Sequence, residues 1–144
     1  MSTKDLKALM RHFVEQWNKG KTAAMVVLDE MVATNVVYHS ATGEDIHGLK
    51  DYKQFMSGFY DAFPDNHMTI DDIVVEGDKL VARYTVTGTH KSEFMGIPAT
   101  NKKVTIWVIE IDRIVGSKTV EIWERFDTLG FMQQLGVIPT PEKK

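Results

Sequence analysis

Lys102-Lys103-Val104-Thr105-Ile106-Trp107-Val108-Ile109-Glu110-Ile111-Asp112-Arg113-Ile114, then Gly116-Ser117, then Thr119-Val120-Glu121-Ile122-Trp123-Glu124-Arg125-Phe126 is the stretch on which the fold turns. Two runs rich in β-branched and aromatic residues flank a Gly-Ser turn, which reads as a hairpin. Immediately upstream, Thr69 to Glu76 and Lys79 to Thr89 repeat the pattern around Gly77-Asp78. The loop Lys91 to Asn101, with Gly96 and Pro98, joins one hairpin to the next.

The first half of the chain has the helical period. Leu6, Leu9, Met10, Phe13, Val14 and Trp17 fall on one helix face, with Ser2 or Thr3 to cap its start and Gly20 to end it. A second helix is expected from about Ala23 to Met31, a short strand over Asn35 to His39, and a third helix from about Leu49 to Phe63. Asp127 or Thr128 caps a last short helix from Leu129 to Leu135. Helices followed by an antiparallel meander predict an α+β domain, a cone-shaped curled antiparallel sheet with N-terminal helices enclosing a cavity for a small ligand.

The whole chain bounds the function classes. Its 144 residues fit one domain, 1–144, with 139–144 as a loose tail. The net charge of −3 and the lack of a basic stretch argue against nucleic acid. No apolar run approaches the roughly 20 residues of a membrane span, and no signal peptide opens the chain, so a cytoplasmic location is expected. Without cysteine there is no disulfide, thiolate metal site or Cys nucleophile. His and carboxylates show no metal-ligand spacing such as H-x₃-H, so neither metal nor cofactor is expected.

The ordered series Phe63-Pro64-Asp65, Gly77-Asp78, Gly88-Thr89-His90, Glu93-Phe94-Met95-Gly96-Ile97-Pro98, Arg113-Ile114, Glu121-Ile122-Trp123-Glu124, Leu129-Gly130 and Gln133-Gln134-Leu135-Gly136 resembles the SnoaL-like polyketide cyclases of the nuclear transport factor 2-like fold. The resemblance implies a cofactor-free intramolecular aldol ring closure, or related lyase or isomerase chemistry, on a small hydrophobic carbonyl compound. It implies a carboxylate in the last long strand as general acid and base. Gapless alignment over Lys118 to Gly136 puts Glu124 there, one methylene longer than the family's Asp. The polar partner in the preceding strand falls on Glu110, and a polar residue after the first strand falls near His39, across a gap. Ile122 stands where many relatives carry His. The fold also serves non-catalytic binding proteins, so a small-molecule binder without turnover is the rival reading.

The residues themselves leave two arrangements open. Side chains alternate along a strand, so Val104, Ile106, Val108 and Glu110 share a face, as do Val120, Ile122, Glu124 and Phe126. If these rows line the cavity, Glu110 and Glu124, at similar distances from the turn, are cross-strand neighbours whose burial and repulsion raise at least one pKa. If the faces turn over, Trp107, Trp123 and Arg125 line it and the glutamates are solvated. In the first arrangement Trp107, Ile109, Ile111 and Trp123 need a cover, which predicts a homodimer through the sheet face. His39 would assist in orienting substrate; His90 would sit at the cavity mouth. Phe13, Trp17, Phe55 and Phe59 would contact a hydrophobic or aromatic ligand, with Phe94 and Met95 in a lid loop and Ile122 in the wall.

Overall fold

Ser2 opens the first helix, as its position predicts. The computed structural model describes residues 2–141, and Ser2 and Asp5 exchange side-chain to backbone hydrogen bonds of 3.1 Å at the start of α1 (Thr3–Trp17). This reciprocal box satisfies two amide groups that a helix start leaves free. The expected tail residues 142–144 lie outside the described residues. Helix α1 buries Leu6, Met10, Val14 and Trp17 against the sheet. After α2 (Lys21–Met31) come β1 (Val32–His39) and the two-residue β2 (Ile46–His47), where a loop was expected. Helix α3 (Leu49–Ala62) stops one residue before Phe63-Pro64 and buries Tyr52, Met56 and Tyr60. The meander is β3 (His67–Glu76), β4 (Lys79–Thr89), β5 (Lys103–Val115) and β6 (Lys118–Phe126), followed by α4 (Thr128–Gln134). Among the described residues no helix is long and apolar enough to cross a membrane.

The six strands form one curled, unclosed sheet in the order β2-β1-β6-β5-β4-β3. The expectation of a wholly antiparallel sheet is corrected at one seam: β1 pairs with β6 in parallel. A parallel pair needs a long crossover, and α3 with the entire meander supplies it. At the β5–β6 turn, Gly116 and Ser117 both have positive φ, 55° and 63°, the sign pattern of the hairpin turn that follows strand twist.

Burial decides which face is inside. Val104, Ile106 and Val108 are buried, while Trp107 is 69% and Ile109 53% exposed. The row read through Val120 needs a correction. The β5–β6 register steps from Arg113↔Glu121 to Ile114↔Thr119, leaving Val120 as an extra, bulged residue. Beyond the bulge it is Thr119 that lines the interior, and the inward row runs regularly only from Ile122.

Candidate active site

Strand register sets the chemistry. Glu110 on β5 faces Glu124 on β6 as a direct cross-strand pair, and Asp112 follows Glu110 two residues on, on the same face. Neighbouring strands contribute two phenols. Tyr38 of β1 donates a 2.8 Å hydrogen bond to Oε1 of Glu124, and Tyr84 of β4 a 3.3 Å bond to Oε1 of Glu110. Both tyrosines are buried, as is Asp112 at 7% exposure. No lysine or arginine is ion-paired to any of the three acids.

Three carboxyls in one apolar interior cannot all ionise freely. Burial pushes Glu124 up to about 7, and the charge of Glu110 adds to it, while the hydroxyls of Tyr38 and Tyr84 favour the ionised form and pull the other way. Glu110 is held well above the ordinary carboxyl range by burial and then by Asp112. Asp112 is raised as well, first by burial, with Glu110's hydrogen bond opposing and Glu124's charge assisting. Burial, and then the Glu124 charge, raises Tyr38 far above its usual value, so it stays a neutral donor at any working pH.

The interior space is divided. A cavity of about 70 Å³ at the Phe126 end of the strands is lined by Glu124, Tyr38 and Tyr84 with Trp17, Phe55, Phe59 and Phe94. A second of about 40 Å³, near the β5–β6 turn, is lined by Glu110 and Asp112 with Leu9, Met10, Phe13, Tyr52, Thr119 and Ile122. The two walls share no residue, so the paired glutamates look into different spaces.

The structure thus gathers Trp17, Phe55, Phe59 and Phe94 around Glu124 and leaves other candidates elsewhere. Phe13 and Ile122 belong to the second cavity. Met95 is exposed at the loop tip, in a left-handed conformation beside Gly96. His90, expected at a cavity mouth, is fully buried; its ring stacks on Phe63, and its Nδ1 accepts from the Thr100 amide. His39 needs the clearest correction. Tyr38 points inward, so its neighbour points out: the His39 ring stacks on Trp123 and bridges Glu121 (2.7 Å) and Asp45 (3.0 Å), away from the cavity. The hydrogen bond from Glu121 raises its pKa, against a smaller opposing effect of burial.

Sequence reasoning missed Asp112, Tyr38, Tyr52 and Tyr84. Asp112 was reachable, because it continues the alternation Val104, Ile106, Val108, Glu110 by one step. The tyrosines carried no such mark, since a Tyr in an apolar strand reads as core.

Comparison with known proteins agrees with this architecture. The family model described as SnoaL-like polyketide cyclase matches residues 7–135. Aklanonic acid methyl ester cyclase DauD of Streptomyces sp. (strain C5) is 28% identical over 138 residues, covering 93% of this chain and 84% of its own. The enzyme of the same description from Streptomyces peucetius, DnrD, is also 28% identical, covering 93% of each chain. Among solved structures, TsrD from Streptomyces laurentii superposes with a TM-score of 0.83 at 28% identity, covering 96% of this chain and 99% of its own. AclR from Streptomyces galilaeus, provisionally described as a hydroxylase, does so with a TM-score of 0.83 at 30% identity, covering 96% and 100%.

Proposed function

This chain belongs to the SnoaL-like polyketide cyclase family, and on that premise we propose that it closes a ring in a small hydrophobic carbonyl compound by an intramolecular aldol reaction, with Glu124 as general base and then general acid. The observation that carries the reading is Glu124 itself, raised to about 7 in an aromatic-walled cavity and held by the Tyr38 hydroxyl at 2.8 Å. A carboxylate poised near the working pH both takes and returns a proton. Ionised Glu124 removes a proton from the carbon beside a carbonyl. The enolate carbon then bonds to a second carbonyl carbon of the same molecule. That carbonyl's π pair moves to oxygen, and the alkoxide takes the proton back from Glu124. Substrate and product are isomers, so the step needs no oxidant, reductant or leaving group.

Tyr38 orients the carboxylate in this scheme, and Glu110 tunes it through the charge it places across the strand pair. Phe55, Phe59, Phe94 and Trp17 hold the substrate folded, which supplies the proximity part of the acceleration. The 70 Å³ space is smaller than the roughly 300–1,000 Å³ of ligand pockets. Entry therefore requires the loop bearing Phe94 to move; its ring rests on Phe55, Phe59, Phe63 and Phe131.

Aklanonic acid methyl ester, the compound in the names of two relatives, is the first substrate to test. Glu124→Gln is expected to lower kcat by about 10²–10⁴-fold while binding is kept. Unchanged turnover in that variant removes Glu124 from the reaction. Saturable binding of the ester with no turnover by the wild-type chain would favour the non-catalytic binder.

The homodimer is part of the same proposal. Trp107 and Ile109 are mostly exposed on the outer face of the central strands, and a second copy of that face is the cover their chemistry fits. Sedimentation should show a dimer that Trp107→Glu converts to monomer; a monomeric wild type at tens of micromolar would exclude this use of the face.

A further inference from the structure

The second cavity is not used by the reaction above. It lies near the β5–β6 turn, has a volume of about 40 Å³, and shares no lining residue with the space around Glu124. Its wall is apolar except for one built feature: Glu110 and Asp112 side by side, with the Thr119 side chain also lining it. Asp112 is 7% exposed, and no N–H or hydroxyl of the protein donates to its buried Oδ1. Buried carboxyl oxygens are ordinarily satisfied, and an unsatisfied one calls for a donor from outside the chain. Neither acid has an ion-pair partner among the described residues.

We propose that this cavity is a binding site for a compact primary ammonium, its N–H donors directed to Asp112 and Glu110 and its short hydrocarbon body held by Leu9, Met10 and Phe13. The charge matches, because two acids stand in a low-dielectric wall with no cation of the chain to balance them. Size selects a small head and a short body, since a space of about 40 Å³ holds roughly three or four waters. A metal ion fits less well: among the described residues no three His, Cys, Asp or Glu converge to hold one. Both acids are raised above their ordinary range, so binding the cation releases a proton and tightens as pH rises. Glu110 opposes Glu124 across the strand pair. A cation behind it therefore also lowers the Glu124 pKa, linking this site to the other by charge alone. The site stands whether or not Glu124 catalyses.

The test uses the whole chain, carboxyl-labelled at Asp and Glu, titrated with n-propylammonium chloride at pH 7.5. Sodium chloride and n-propanol at equal concentrations are the controls. The expected result is a saturable change in the Asp112 and Glu110 carboxyl signals with the amine alone, about tenfold weaker at pH 6.5. Asp112→Asn should abolish it. Leu9→Trp, which fills the cavity from α1 and leaves both acids intact, should abolish it too and covers the case in which the first variant fails to fold. An equal response to sodium chloride would reduce the effect to ionic screening. No response up to about 100 mM would mean that only water occupies the space. Either outcome, or a response retained in Asp112→Asn, overturns the proposal.

Discussion

Replacing Tyr38 by Phe removes one oxygen from the site and leaves the ring that packs on Tyr52 and Phe55. The lost bond, 2.8 Å to Glu124, favours the ionised carboxylate over the acid. A hydrogen bond to a charged acceptor contributes about 1.5–3 kcal/mol, and a tenfold change in ionisation corresponds to about 1.4 kcal/mol. The sign follows directly: removing a bond that favours the charged form raises the pKa. The Glu124 midpoint should therefore climb from about 7 by about one to two pH units. Tyr84 also favours the charged form of Glu124 and sets the lower end of that range. Carboxyl carbon NMR of Glu-labelled protein between pH 4 and 10 reads the midpoint, with Glu124→Gln assigning the signal. The acid limb of the kcat profile should move by the same amount, while the high-pH plateau stays within a few-fold. A midpoint that holds still or falls in Tyr38→Phe would show that the phenol does not serve the carboxylate form, and the acid–base assignment would lose its basis.

Two further outcomes bear on stability. Glu124, Glu110 and Asp112 all have native pKa values above their ordinary ones, so the native chain holds more protons than the unfolded one between about pH 4 and 7; stability must fall as pH rises through that window. For Glu124 alone, moving from 4.5 to about 7 is worth about 3 kcal/mol; the urea midpoint should be higher at pH 5.5 than at pH 8, and Asp112→Asn should flatten the difference. His39, raised by its bond to Glu121, adds in the same direction: its contribution is full below its unfolded pKa and fades as pH rises through the native one. The lowered Asp65 and Glu121 act only in more acid solution, where their contribution is lost as pH falls through their native values. Separately, Asp127→Ala removes the 2.8 Å cap on the Gly130 amide and should cost about 1 kcal/mol in urea denaturation with an unchanged slope.

How much of this was legible can be traced residue by residue. The meander and the Glu110–Glu124 pairing follow from alternation and the Gly116-Ser117 turn, both purely local signals. The parallel β1–β6 seam does not, because it joins residues some eighty positions apart through pairing that leaves no pattern in either strand. The orientation of β1 was equally hidden. Asn35-Val36-Val37-Tyr38-His39 has apolar residues at both parities, so His39 and Tyr38 were each eligible for the interior. Packing of Tyr38 on Tyr52 and Phe55 decides it and sends His39 outward to Trp123. His90 was misplaced for a similar reason: a His at a strand end reads as exposed, until the loop folds back and the Thr100 and Asn101 amides bond to its ring and its carbonyl.

The acids themselves make the strongest argument that this interior is built for chemistry. A sheet face that can place Val104, Ile106 and Val108 in a row had the means to continue with aliphatic residues. Instead it continues with Glu110 and Asp112 and sets Glu124 opposite, each in a position where ionisation is disfavoured. Replacing a buried acid by a neutral residue of similar shape removes that penalty, so Glu124→Gln should stabilise the fold at pH 8 by about 1–3 kcal/mol. A purely structural carboxylate, held for its bond to Tyr38, predicts the opposite, since its loss would leave the chain less stable. Urea denaturation of that one variant at pH 8 therefore separates a group kept for function from one kept for the fold, without knowledge of the substrate.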